Sequence, residues 1–230
     1  MTLTIAFDLD GTLVDTAADV ADLINPLFAE LGRAPITAAQ AASCFGLGAA
    51  KFVERALALT RGQPLSPDRT AALVAAFGTV YASAPPRLSR PFPHVPETLA
   101  ACRARGWRLA VCTNKPARAT ETLLSALDLL GYFDAISGGD SAPARKPDPV
   151  HLFDAIARAG GTPHRALFVG DSETDAATGR AANIPTILVE GGYTSQNLRA
   201  LGATRVVPGF AELVPLLATL DPGLVPSTTG

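Results

Sequence analysis

Two carboxylates, Asp8 and Asp10, follow an apolar run over residues 3–7 and precede Gly11 and Thr12. The run reads as a short buried strand. Side chains two apart on an extended backbone point the same way, so the two acids should converge. Like charges that close are costly unless a cation or a shared proton relieves them. Ligands of open parallel sheets sit at the carboxyl ends of strands, where this pair lies. The pair is a candidate metal and catalytic site. Asp before Gly is also common in turns, and this stretch alone leaves both readings open.

Three further apolar runs end in residues suited to phosphate chemistry. Residues 109–112 stop at Thr113-Asn114-Lys115-Pro116. A hydroxyl and backbone N–H groups at a strand-to-helix turn can hold phosphate oxygens, although Thr113 would also serve as a helix N-cap. Residues 135–136 lead through Ser137-Gly138-Gly139-Asp140 to Arg145-Lys146-Pro147-Asp148-Pro149. Lys146, set between a loop and two prolines, can cancel charge on Asp8 and on a phosphate, though most lysines are solvated. Residues 166–169 end at Gly170-Asp171-Ser172-Glu173-Thr174-Asp175. Asp171 is expected beside Asp8, completing an oxygen-rich site for Mg²⁺, a hard cation. Asp175 stands near a helix start, where a carboxylate is favourable without any catalytic role.

These motifs need a scaffold, and the pattern supplies one. Candidate strands at 3–7, 109–112, 135–136, 166–169, 186–189 and 205–207 alternate with candidate helices at 95–105, 117–127, 150–159, 175–182 and 209–219. That alternation predicts an α/β fold, a doubly wound parallel sheet with helices on both faces. Between the first strand and the rest lies a helical insertion with helices at 17–31, 49–60 and 68–81. Thr16 is a candidate N-cap, and Pro26 is expected to kink or split the first of them. The Pro-rich stretch 84–93 reads as a linker. The expected division is a core of residues 1–15 and 86–220, an insertion of residues 16–85, and a flexible tail at 221–230.

Composition narrows the function classes. The chain has 230 residues, 48% of them hydrophobic, and a formal net charge of −2. Nothing in that balance favours nucleic acid or an anionic membrane as a partner, and no apolar run approaches a bilayer span. The cysteines, Cys44, Cys102 and Cys112, are odd in number and far apart, which argues against a disulfide framework or zinc site. Cys112 is expected to be a buried thiol. The first residues read straight into the first candidate strand, so no signal peptide is expected. These features together predict a cytoplasmic protein, monomeric or homodimeric.

Taken in order, Asp8-x-Asp10-Gly-Thr, Thr113-Asn114, Lys146-Pro147-Asp148-Pro149 and Gly170-Asp171-Ser172-x-x-Asp175 resemble the four motifs of the haloacid dehalogenase superfamily. The texture of several segments, including Cys112-Thr113-Asn114-Lys115-Pro116 and Gly191-Gly192-Tyr193, is similar to its phosphoglycolate phosphatase-like branch. The resemblance implies a Mg²⁺-dependent phosphate monoester hydrolase that works through an aspartyl-phosphate, with 2-phosphoglycolate the leading substrate. A phosphosugar phosphatase or phosphosugar mutase is the alternative on the same core. Asp8 would be the nucleophile and Asp10 the acid and base. Thr113, Asn114 and Lys146 would hold phosphate. Asp8, the main-chain carbonyl of Asp10, and Asp171 would bind metal, with Asp175 orienting them. The insertion corresponds to the family's helical cap, where Gly48 and Lys51 are expected to touch the rest of the substrate. Both have plainer readings, a helix-connecting turn and a solvated helix residue.

Overall fold

The computed structural model describes residues 2–219; the tail expected at 221–230 lies outside them. Six strands form one parallel sheet: β1 (Thr4–Phe7), β4 (Arg108–Cys112), β5 (Ala135–Ser137), β6 (Ala166–Gly170), β7 (Thr186–Val189) and β8 (Arg205–Val207). Their order is β5-β4-β1-β6-β7-β8. The chain winds one way from β1 through β4 to β5, then crosses back to β6. Strand β1 therefore flanks the crevice at which ligands of such sheets bind. Its register is tight on both sides, Phe7 pairing with Val111 and with Val169. The carboxyl ends of the three strands are thus level.

Alternation along the strands loads both faces. Ile5 and Phe7 join Leu109, Val111, Leu167, Val169 and Ile187 in one apolar layer. It packs against α5 (Val95–Ala104) and α9 (Leu213–Thr219). Ala6, Ala110 and Phe168 face the other way onto α7 (Pro149–Arg158) and α8 (Glu173–Ala182). Helix α6 (Ala117–Ala126) follows β4. The alanines on that second face let helix backbones approach the sheet closely.

Between β1 and β4 come α1 (Ala17–Glu30), α2 (Ala38–Ala42), α3 (Ala49–Leu59) and α4 (Pro67–Ser83). They share an apolar cluster of their own, with Ile24, Phe28, Phe52, Val53 and Phe77 at its centre. Pro26 does not split α1, which is assigned as one helix across it. Thr16 occupies the N-cap position of α1, but its side chain makes no cap. Helix α2 was not expected, although Thr37 and Gln40 form a capping box at its start. That spacing is a readable signal.

The two chain crossings between core and helices are tied together. Strands β2 (Val14–Asp15) and β3 (Arg90–Pro91) pair antiparallel. Asp19, in the first turn of α1, accepts backbone N–H bonds from Arg87, Leu88 and Ser89 at 2.8–3.2 Å. The Pro-rich stretch is thus a fastened strap. Two-residue strands carry no periodicity from which to be found.

Candidate active site

The first turn after β1 builds one wall. The main-chain N–H of Asp8 still belongs to the sheet and donates to Val169 O at 2.8 Å. Gly11 then turns the chain at φ +89°, and a Cβ there would stand 2.6 Å from Asp171 Oδ2. Only glycine meets both demands. Thr12 uses the turn to donate its hydroxyl to Asp171 Oδ1 at 2.6 Å.

Asp8, Asp171 and Asp175 converge from the ends of β1 and β6, with candidate ligand oxygens all within 4.8 Å of one another. Lys146 reaches between them, 2.8 Å from Asp8 Oδ1 and 2.7 Å from Asp175 Oδ1. All four are buried. With every carboxyl ionised, one lysine leaves two negative charges uncompensated. Burial pushes the Asp8 carboxyl up to about 7 against the pull of Lys146. Burial, then repulsion from Asp175 and Asp8, holds Asp171 well above the usual range. Burial alone would lower Lys146, but Asp175 and Asp8 outweigh it and hold the ammonium charged. Oxygen donors with an excess of two charges suit a hard divalent cation, so the cluster is able to bind a metal ion.

Asp175 is the most occupied of the three. Its Oδ1 serves Lys146, and its Oδ2 accepts from Ser172 Oγ at 2.6 Å and from two main-chain N–H groups. It caps the start of α8 and fixes Lys146, as the helix-start and orienting readings both allow.

Asp10 faces a separate partner. Its Oδ1 accepts from Thr16 Oγ1 at 2.6 Å and from Lys115 Nζ at 3.2 Å. This bond is why the Thr16 side chain is missing from the α1 cap. Tyr193 fills that gap from the loop after β7. Its hydroxyl accepts from the N–H groups of Thr16 and Ala17 at 2.6 and 3.0 Å, and its own N–H donates to Asp171 Oδ2 at 2.8 Å. One residue thus joins the carboxylate cluster to the first helix of the insertion.

Thr113 is buried at the end of β4 and borders the same cavity as Asp8, Asp10 and Lys146. The Asn114 side chain is spent within the fold. Its Oδ1 accepts from Lys146 N, and its Nδ2 donates to the carbonyls of Lys146 and Gly46. The amide is used up in placing Lys146 and the insertion, which leaves no side-chain donor for phosphate. His151, which carried no sequence signal, clamps the same segment. Its Nδ1 accepts from Lys146 N at 3.1 Å and its Nε2 lies 3.1 Å from Ser137 O. Burial, then the Lys146 charge, depresses its pKa to about 4, so the ring is neutral.

The insertion supplies the opposite wall. Gly48, at φ +83°, starts α3 and borders the cavity. Lys51 does not: it is exposed, pairs with Glu54, and is not among the residues around the cavity. One turn into α3 its side chain is already on the solvated face. The wall is instead aromatic. Rings follow one another from Tyr193 to Phe45, Phe52, Phe77 and Tyr81 at centroid spacings of 4.9, 5.3, 5.3 and 5.1 Å. The chain of rings ends under Lys115, whose Nζ lies 4.1 Å over Tyr81. The cavity is about 40 Å³, room for a few waters.

A doubly wound sheet with buried aspartates and a lysine at its switch point, roofed by an inserted helical unit, defines a hydrolase-type α/β site. Residues 2–183 match the haloacid dehalogenase-like hydrolases, and the chain belongs to that family. It is 41% identical over 217 residues to a phosphoglycolate phosphatase of Caulobacter vibrioides, covering 94% of this chain and 91% of the relative. A phosphoglycolate phosphatase of Agrobacterium fabrum is 42% identical over 211 residues, covering 92% and 90%. The crystal structure of a predicted phosphoglycolate phosphatase from Haemophilus somnus 129PT superposes with a TM-score of 0.85 at 29% identity, covering 94% of this chain and 98% of that one.

Proposed function

We infer that this protein hydrolyses a small phosphate monoester, 2-phosphoglycolate first, through an aspartyl-phosphate on Asp8. The observation that carries the reading is the buried Asp8–Asp171–Asp175 cluster, whose excess charge one lysine does not balance. The names of the relatives support the choice of substrate.

Asp8 attacks phosphorus through a carboxylate oxygen, and the ester P–O bond breaks. Asp10 gives its proton to the departing alkoxide, then takes one from the water that attacks the acyl phosphate. Thr113 and Lys146 hold the phosphoryl oxygens. Asn114 and His151 fix the Lys146 backbone, so its ammonium needs no rearrangement during the reaction. Asp8, the Asp10 carbonyl and Asp171 would hold Mg²⁺, which would supply the charge that lets a phosphate dianion approach a carboxylate. The helices of residues 16–85 act as a cap on a core of residues 1–15 and 86–220, excluding water from the reacting pair. A cytoplasmic setting suits three buried, unpaired cysteines.

The test is a panel of phosphate esters, phosphosugars included, ranked by kcat/KM with and without chelator. Phosphoglycolate is expected first, with turnover lost on metal removal, restored by Mg²⁺ and inhibited by Ca²⁺. Full activity in excess chelator would contradict the metal assignment, and a phosphosugar at the top of the ranking would contradict the substrate.

A further inference from the structure

Two lysines border the cavity, and their surroundings differ. Lys146 is held between Asp8 and Asp175. Lys115 is as deeply placed, with 5% of its side chain exposed. It contacts one carboxylate, Asp10, at 3.2 Å, and one neutral oxygen, the Tyr81 hydroxyl, at 2.5 Å. An ammonium carries three N–H donors. Two are taken, and no third acceptor is recorded for Lys115 among the described residues.

We propose that Lys115 is the specificity-determining residue that receives an anionic group on the leaving alcohol. The proposal rests on the reading above that the substrate is a small carboxylated phosphate ester. In such an ester a single methylene separates the ester oxygen from the carboxyl carbon. The group that protonates the ester oxygen and the group that holds the carboxylate must therefore be neighbours. Asp10 and Lys115 are neighbours, and the free donor of Lys115 can be used without breaking either existing bond.

The rest of the cavity sharpens the assignment. The aromatic wall of Phe45, Phe52, Phe77 and Tyr81 offers a carboxylate no charge, and a desolvated carboxylate without a charged partner is expensive. Lys51 is exposed. Arg55 borders an adjoining cavity on the Asp171 side, which Asp8, Asp10 and Phe45 also line, and its guanidinium donates to the Phe45 carbonyl at 2.9 Å. Lys115 belongs to the core loop after β4, yet Tyr81 of α4 sets where its ammonium sits. Selection thus depends on a core cation aimed by the insertion.

The test compares 2-phosphoglycolate with 2-hydroxyethyl phosphate, an analogue of similar size in which a neutral hydroxyl replaces the carboxylate. Titration calorimetry on the Mg²⁺-loaded Asp8→Asn protein, with and without Lys115→Met, reads binding without turnover. Lys115→Met should weaken phosphoglycolate by roughly 10- to 150-fold, the range for a hydrogen bond to a charged group. It should move hydroxyethyl phosphate by less than about threefold. Lys115→Arg should restore most of the preference, and circular dichroism should find each variant folded. In the otherwise native enzyme the same variant should raise KM for phosphoglycolate more than it lowers kcat. Equal weakening of both ligands, or an intact preference for phosphoglycolate in Lys115→Met, would overturn the proposal. Failure of the wild-type enzyme to hydrolyse any phosphate ester would instead overturn the proposed function, and the binding comparison would still judge Lys115.

Discussion

On the core side the cavity is bounded by Asp8, Asp10, Thr113, Lys115 and Lys146; on the helical side it is bounded by Val20, Phe45, Phe52, Phe77 and Tyr81. The core wall is polar, and each charge has a fixed partner at 2.7–3.2 Å. The helical wall is a train of rings in contact, Phe45 edge-on to Phe52 and Phe52, Phe77 and Tyr81 stacked, without a charged group of its own at the cavity. Preorganised charge does chemistry, because it needs no rearrangement when the transition state forms. An apolar wall excludes water and discriminates by shape, a weaker lever worth about 1–3 kcal/mol per methylene. Damage to Asp8, Thr113 or Lys146 should therefore be catastrophic and largely independent of substrate. Damage to the helices should be mild and substrate-dependent.

The sharpest way to break this contrast is Asp8→Asn. The amide is nearly isosteric but a poor nucleophile, so kcat should fall roughly 10⁴-fold or more on every ester. The fold should persist by circular dichroism. A tenth of the native rate in a pure sample would remove Asp8 from its role.

Asp10→Asn tests whether the core wall itself divides its work. Loss of a general acid costs about 10²–10⁴-fold. It should show in full on alkyl phosphates and much less on nitrophenyl phosphate, whose leaving group needs no proton. Equal fractional losses would mean that Asp10 serves mainly the second, hydrolytic step or the metal.

Stability offers an intermediate test through His151. Its folded pKa of about 4 lies below the unfolded value near 6.5. Between those values the unfolded chain binds more protons, so stability falls as pH drops through the window. His151→Gln keeps an acceptor and a donor but cannot titrate. Denaturant titrations at pH 7 and pH 4 should give the native protein an extra loss of about 1–3 kcal/mol relative to the variant. Parallel pH profiles would show that the ring is not held neutral.

On the helical wall, Phe45→Leu should reorder substrates by up to about tenfold in kcat/KM while leaving the Mg²⁺ requirement unchanged. The smallest effect is expected at Lys51. Its exposed pair with Glu54 is of a kind that contributes little, so Lys51→Ala should keep kcat/KM within about twofold across the ester panel. A large, substrate-dependent loss would bring Lys51 back to the site.

Much of the core wall was legible before any coordinates. Asp8, Asp10, Thr113, Lys146 and Asp171 each follow an apolar run, and a parallel sheet brings strand ends to one edge whatever the loops do. The structure places all five around the site, with Asp175 between its helix and Lys146. Lys115 stood within the motif yet carried no signal, because nothing local distinguishes a buried lysine from a solvated one. Tyr193, named only as part of a resembling segment, was given no role, and His151 was missed, for the same kind of reason. Each acts through partners far away in sequence, Tyr193 across 177 residues to Thr16 and His151 on the backbone of Lys146. The side-chain bonds of Asn114 to Lys146 and Gly46 could not be read from the sequence, since its amide geometry depends on where the Gly46 loop lands.

The sequence by itself determined the alternation of strands and helices, the strand-end carboxylates and the position of the insertion. All three follow from local periodicity and from the rule that parallel strands deliver their carboxyl ends together. Tertiary structure decided which charges are paired, which lysine faces the cavity, and that the insertion presents rings where a cation was expected. Those outcomes depend on the side on which a helix lands and on what is desolvated with it. Burial and pairing energies of that kind arise between residues distant in the chain, and the order of residues does not encode them locally.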